Sequence, residues 1–180
     1  LEVNQYSDCQ GSKMIDKPIF LIGMMGSGKS SLASALSKEL SIPLLDTDQA
    51  IEKAVGLTVV EIFSCYGEAF FRAKEQELTV SLKTEAQIVA CGGGLPCHHE
   101  LIKTMLKQGL VIYLEAPIKI LFDRIAEDNE RPLLSGIDDF YLRFLEREAV
   151  YKLAHHVLDA TKSEQQLLKS LRQLINTSPF

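Results

Sequence analysis

The sequence predicts one α/β domain built on a parallel sheet. Three observations lead there: five short apolar runs alternate with stretches of helical periodicity, a glycine-rich loop joins the first run to the first helical stretch, and 180 residues suit one compact domain with a sizeable core. With 46% hydrophobic and 24% charged residues, the composition is that of a globular chain.

The first run is Ile19 to Ile22. After the loop, Lys29 to Leu40 carries Leu32, Ala35, Leu36 and Leu40 on one helix face. Leu44 to Leu45 forms the second run. Thr58 and Glu61 stand at capping-box spacing before Val59, Val60, Ile62 and Phe63, and Gly67 is expected to end that short helix as a C-cap. Ile88 to Cys91 and Leu110 to Leu114 are the third and fourth runs, with a helix expected to start after Pro96. The helical stretches Ile118 to Ala126 and Phe140 to Ala154 flank residues 129–139, a charged segment with Pro132 and Gly136 that reads as a surface loop of lid length. His156 to Leu158 is the fifth run. Ser163 with Gln166 then repeats the capping pattern before Leu167, Leu171, Leu174 and Ile175. Residues 1–13 are a polar leader without periodicity, either an appended remnant or a true extension; Met14 is read as the native start of a single domain over 14–180.

Several function classes are disfavoured. A net charge of −5 argues against general nucleic-acid affinity. No apolar run approaches the ~20 residues that cross a bilayer, and the N-terminus lacks a secretory layout, so no membrane partner and a cytoplasmic location are expected. Cys9, Cys65, Cys91 and Cys97 read as reduced thiols. Zinc on Cys91, Cys97, His98 and His99 is set aside because two of those ligands are adjacent where paired arms are usual. Glu115, at the end of the fourth run, is read as a polar strand end.

The strongest local signal is Gly23-Met-Met-Gly-Ser-Gly-Lys29-Ser30, lying between a strand and a helix. Glycines let successive N–H groups converge on phosphate oxygens, and the following helix start adds partial positive charge. Lys29 supplies a full charge to the β- and γ-phosphates, and Ser30 offers a hydroxyl to Mg²⁺. Gly26, Ser27, Gly28, Lys29, Ser30 and Ser31 are therefore the candidate ATP-binding residues. The Asn-Lys-x-Asp element usual for guanine is absent. Asp46 and Asp48 stand at the end of the second run, where open α/β sheets place a ligand crevice. One acid is suited to a metal through water and the other to an acceptor hydroxyl; alternatively, Asp48 merely caps the next helix.

Gly67-Glu-Ala-Phe-Phe-Arg72, Cys91-Gly92-Gly93-Gly94, Arg131-Pro-Leu-Leu134 and Arg147-Glu-Ala-Val-Tyr151, with the acid pair, resemble the pattern of the shikimate kinase family from about Ile19 to the final helix. That resemblance implies a P-loop kinase fold, a five-stranded parallel sheet in order 2-3-1-4-5 flanked by helices with a mobile lid. It implies that Arg72 and Arg147 grip the shikimate carboxylate, that Asp48 binds ring hydroxyls and orients the attacking one, and that Gly92, Gly93 and Gly94 line the pocket. Glu75, three residues beyond Arg72, is placed to hold its fork. Arg131 resembles the family's lid arginine, and Arg124 stands where the family stacks an arginine on adenine. Lys29, Asp48 and Arg131 are then the catalytic set, with Mg²⁺ held by Ser30 and, through water, Asp46. Shikimate and ATP are the expected partners of a monomer. The rivals are a gluconate or nucleotide kinase of the same architecture and an inactive nucleotide-binding relative.

Overall fold

The computed structural model describes residues 15–82, 85–126 and 136–178; the leader, Arg131 and residues 129–135 of the expected lid lie outside them. Strands β1 (Ile19–Ile22), β2 (Leu44–Asp46), β3 (Ile88–Ala90), β4 (Leu110–Glu115) and β5 (His156–Asp159) form one sheet. Its order is β2-β3-β1-β4-β5 and every neighbouring pair is parallel, as expected. Helices α1 (Lys29–Leu40), α2 (Thr47–Val55), α3 (Val59–Ser81), α4 (Leu101–Gln108), α5 (Ile118–Ala126), α6 (Ile137–Tyr151) and α7 (Glu164–Thr177) connect and flank them. No single described helix is long and apolar enough to cross a membrane.

The central strands explain the apolar runs. β1 and β3 are buried throughout and β4 through Leu114, so both sheet faces need apolar side chains. At the edges, β5 alternates half-buried and exposed residues, and Leu44 of β2 is exposed. Phe20, Leu36, Met105, Val111 and Leu171 belong to one core cluster joining the sheet to its helices. A second, smaller cluster of Ile51, Ile62 and Phe71 lies between α2 and α3.

Three helix boundaries depart from the sequence reading. Gly67 adopts φ 78 and ψ 170, which kinks α3 without ending it, and the helix resumes through Ser81. Both capping boxes form, at Thr58/Glu61 and at Ser163/Gln166. Pro96 sits in a short 3₁₀ turn, Leu95–Cys97, and α4 begins only at Leu101. Helix α6 starts at Ile137, three residues before the predicted Phe140, because Asp138 and Asp139 favour its positive N-terminal end rather than a loop.

Parallel pairing brings the C-terminal ends of all five strands to one sheet edge, and β1 lies between β3 and β4 at the point where the connections change direction. The loop after β1, the acids after β2 and the glycines after β3 therefore share one crevice. That alignment depends on Gly109 at the entry to β4. Leu110 N donates to Pro18 O at 2.9 Å, and a Cβ on Gly109 would stand 2.0 Å from that same oxygen. Gly109→Ala must push β4 away from β1, and overpacking of this kind costs about 1–3 kcal/mol. Thermal unfolding should show a Tm lower by roughly 2–12 °C; an unchanged Tm would contradict this account of the β1–β4 junction.

Candidate active site

The loop from Gly23 to Gly28 curls between β1 and α1. Gly26 has φ 81, and a Cβ there would meet Leu121 O at 2.5 Å, so a side chain is excluded by both conformation and space. Gly28 has φ 84 with nothing within 4 Å of a Cβ, and it starts α1 without a side-chain cap. Helix α1 thus begins with no side chain capping its N-terminal end, the arrangement that receives phosphate. Lys29 folds back over the loop, donating from Nζ to Met24 O at 2.9 Å and to Ser27 Oγ at 3.4 Å. Ser27 is buried and braces the loop, whereas Ser30 and Ser31 are exposed on the first turn of α1.

The two acids separate in role. Ser30 Oγ donates to Asp46 Oδ2 at 2.9 Å, while Asp46 Oδ1 accepts from Asp48 N at 3.1 Å and Gln49 N at 3.3 Å. Asp46 is therefore both the N-cap of α2 and the partner of the loop serine. Asp48 lies inside the first turn of α2 and not on the strand end, so capping is not its work. A hydroxyl beside a carboxylate, next to the phosphate loop, is an oxygen-only donor pair suited to a hard divalent cation.

The three glycines after β3 form a wall that meets a different charged side chain at each position. A Cβ on Gly92 would fall 2.3 Å from Asp48 Oδ1, one on Gly93 would fall 3.5 Å from Arg147 Nη1, and one on Gly94 would fall 2.6 Å from Arg72 Nη1. The wall's carbonyls are all engaged: Gly92 O accepts from Leu95 N, Gly93 O from the Tyr151 hydroxyl and Gly94 O from Cys97 N. Gly92 N donates to the buried Thr47 Oγ1 at 2.8 Å, so this N–H is held by the scaffold. Among the described residues, the N–H groups of Gly93 and Gly94 meet no protein acceptor, and the wall presents donors to whatever sits against it.

Arg72 arrives from the half of α3 beyond the Gly67 kink. Its Nε and Nη2 donate to Glu68 Oε1 at 3.0 and 2.7 Å, and Nη1 donates to Glu75 Oε2 at 2.8 Å. A guanidinium has five N–H donors, so one remains on each terminal nitrogen, the edge that matches a carboxylate. Burial pushes the Glu75 carboxyl up to about 7, against the opposing pull of Arg72. Its hydrogen bond to Arg72 instead holds Glu68 below the ordinary range. Arg147, buried on α6, places Nη1 3.9 Å from Met24 Sδ in the phosphate loop. A cleft of about 510 Å³ leads past Arg147, lined also by Glu68, Cys97, His98, Arg143 and Glu146.

The base side is defined more loosely. Arg124 bridges Gly26 O at 3.3 Å and Ala160 O at 3.1 Å, tying the phosphate loop to the segment after β5. Glu115 contributes its carbonyl, which accepts from Ala160 N at 2.7 Å. Arg131 lies outside the described residues. Thr47 and Tyr151 were absent from the candidates read off the sequence. Nothing marks Thr47 except its place between the two acids, and Tyr151 was visible only as the last residue of the Arg147 segment.

A family model described as shikimate kinase matches residues 25–176. A shikimate kinase of Bacillus anthracis is 39% identical over 163 residues, covering 89% of this chain and 99% of that protein. The crystal structure of shikimate kinase from Bacteroides thetaiotaomicron superposes with a TM-score of 0.80 at 28% identity, covering 88% of this chain and 98% of that one. Shikimate kinase from Acinetobacter baumannii in complex with shikimate gives 0.81 at 29% identity, with 91% and 95% covered. The glycine wall, its three charged neighbours and the phosphate loop thus sit in a chain that belongs to the shikimate kinase family.

Proposed function

We infer that this chain transfers the γ-phosphoryl group of ATP to the 3-hydroxyl of shikimate, giving ADP and shikimate 3-phosphate. The observation that supports it most is convergence: Asp48, Arg72 and Arg147 approach one glycine wall beside the phosphate loop. An anionic, hydroxyl-bearing ring needs that combination. Two buried guanidinium groups take its carboxylate, the Gly93 and Gly94 N–H groups donate to its oxygens, and Asp48 accepts from the attacking hydroxyl.

The acceptor hydroxyl attacks the γ-phosphorus in line, the bond to the β-phosphate oxygen breaks, and the hydroxyl proton leaves toward Asp48. Lys29, on exchanging its loop contacts for phosphate, offsets charge on the transferring group, and Arg131 adds a second cation from beyond the described residues. Mg²⁺ held by Ser30 and, through water, Asp46 would neutralise charge on the β- and γ-oxygens. Catalysis is then positioning plus charge compensation, without a covalent enzyme intermediate. A monomer working in the cytoplasm is the accompanying proposal.

A coupled ADP-release assay separates this reading from its rivals. Turnover with shikimate, and none with gluconate or nucleoside monophosphates, is expected; the reverse, or no turnover with any of them, would overturn it. The acids are told apart by metal. Asp48→Asn should lower kcat by about 10²- to 10⁴-fold with no rescue by added Mg²⁺. Asp46→Asn should raise the Mg²⁺ needed for half-maximal rate, and excess metal should restore part of the activity. Exchanged behaviour would exchange the two roles.

Glu75 adds a pH signature. Its charged form holds Arg72, so shikimate KM should rise as pH falls through about 7, and Glu75→Gln should flatten that limb. Stability moves the other way. A carboxyl raised above its ordinary 4.5 in the folded state favours folding when protonated, a contribution present below 4.5 and lost as pH climbs to about 7. A pH-independent KM in the wild type would remove Glu75 from this part.

A further inference from the structure

Of the wall's two open N–H groups, one belongs to a peptide that no regular element fixes. The Gly93 carbonyl and the Gly94 N–H share one planar trans peptide and point in opposite directions. Gly92 O is held by Leu95 N, a bond internal to the turn, but Gly93 O is held from outside by the Tyr151 hydroxyl at 2.5 Å. Glycine on both sides leaves this peptide free of Cβ restraint. A rotation would turn a carbonyl oxygen, in place of an N–H, toward an anionic ligand.

We propose that Tyr151 is a positioning residue for the acceptor: its hydroxyl, by holding the Gly93 carbonyl, aims the Gly94 N–H at the acceptor beside Arg72. The local structure is built for this. Tyr151 is fully buried, its ring lies 5.2 Å from that of Tyr113, and its hydroxyl stands 3.9 Å from Met24 Sδ. Burial raises its pKa, so the phenol keeps the proton it donates. Arg147 and Tyr151 are one turn apart on α6, so the same turn sets an acceptor cation and the orientation of the wall. Gly94 is the glycine packed on the Arg72 guanidinium, so the aimed N–H joins the carboxylate end of the site.

This proposal rests on the reading of shikimate as acceptor, and Tyr113 supplies a matched control. Tyr113 is also buried, and its hydroxyl has no hydrogen-bond partner among the described residues. Tyr151→Phe and Tyr113→Phe therefore delete the same group from neighbouring rings. One is bonded to Gly93 O and also to Arg147, the other is without a partner among the described residues, so the Gly94 amide, read beside KM, isolates the Gly93 bond. In ¹⁵N spectra of the ligand-free protein, Tyr151→Phe should displace the Gly94 amide resonance and Tyr113→Phe should leave it in place. Shikimate KM should rise roughly 5- to 30-fold in Tyr151→Phe alone, the size of one lost hydrogen bond. Its kcat and ATP KM should stay within about twofold, because the N–H serves ground and transition states alike.

An unmoved Gly94 resonance, equal KM changes in both variants, or a fall in kcat at constant KM would overturn the proposal. Absence of shikimate turnover in the wild type would sink the acceptor assignment, while the ligand-free amide shift still decides whether Tyr151 holds the wall. Should Tyr151→Phe not fold, the wild type answers directly. A slowly exchanging Tyr151 hydroxyl proton at neutral pH is expected, and a rapidly exchanging one would refute the bond.

Discussion

Main chain bare of side chains is the constraint on which this site depends. Three charged groups from three helices approach one strand exit, and at two of the three positions even a methyl group would collide with them, at 2.3 Å from Asp48 and 2.6 Å from Arg72. The sheet delivers that bare segment beside the phosphate loop, since β3 and β1 are parallel neighbours whose C-terminal ends coincide. Once the wall is in place, the acid, the two arginines and the loop have little choice of neighbours.

Such an arrangement is costly to fold and useful once folded. Arg72 and Arg147 are each only 8% exposed, and a buried cation is tolerated only with acceptors around it. Glu68 and Glu75 meet that need for Arg72 from two sides and leave its terminal edge open. The guanidinium is held in one orientation before any ligand arrives, so little reorganisation is left for the binding step. Asp46 shows the same economy in capping α2 with one oxygen and meeting Ser30 with the other.

Regular elements were legible because burial imposes a period. Strands enclosed on both faces must be apolar throughout, and capping boxes announce themselves by spacing, as at Thr58/Glu61 and Ser163/Gln166. The phosphate loop was legible for a similar reason, since its glycines and lysine answer to local backbone chemistry. What the sequence hid are partnerships at long range. Thr47 meets Gly92 across 45 positions and Tyr151 meets Gly93 across 58, and neither residue type is unusual where it stands. Gly67 misled for a different reason: a left-handed glycine ends a helix or kinks it according to what packs beyond it, and here Phe71 and Arg72 are drawn into the α2–α3 contact and the wall.

The small cluster of Ile51, Ile62 and Phe71 has its own consequence. It stands apart from the sheet core, and the hairpin it holds together carries Asp48 at one end and Arg72 at the other. Two of the wall's three charged neighbours thus rest on a small core of their own, while Arg147 on α6 and the glycines themselves belong to the sheet side. A change inside that small core would therefore shift Asp48 and Arg72 together, and through Asp46 and Thr47 it would be felt at Ser30 and Gly92 as well.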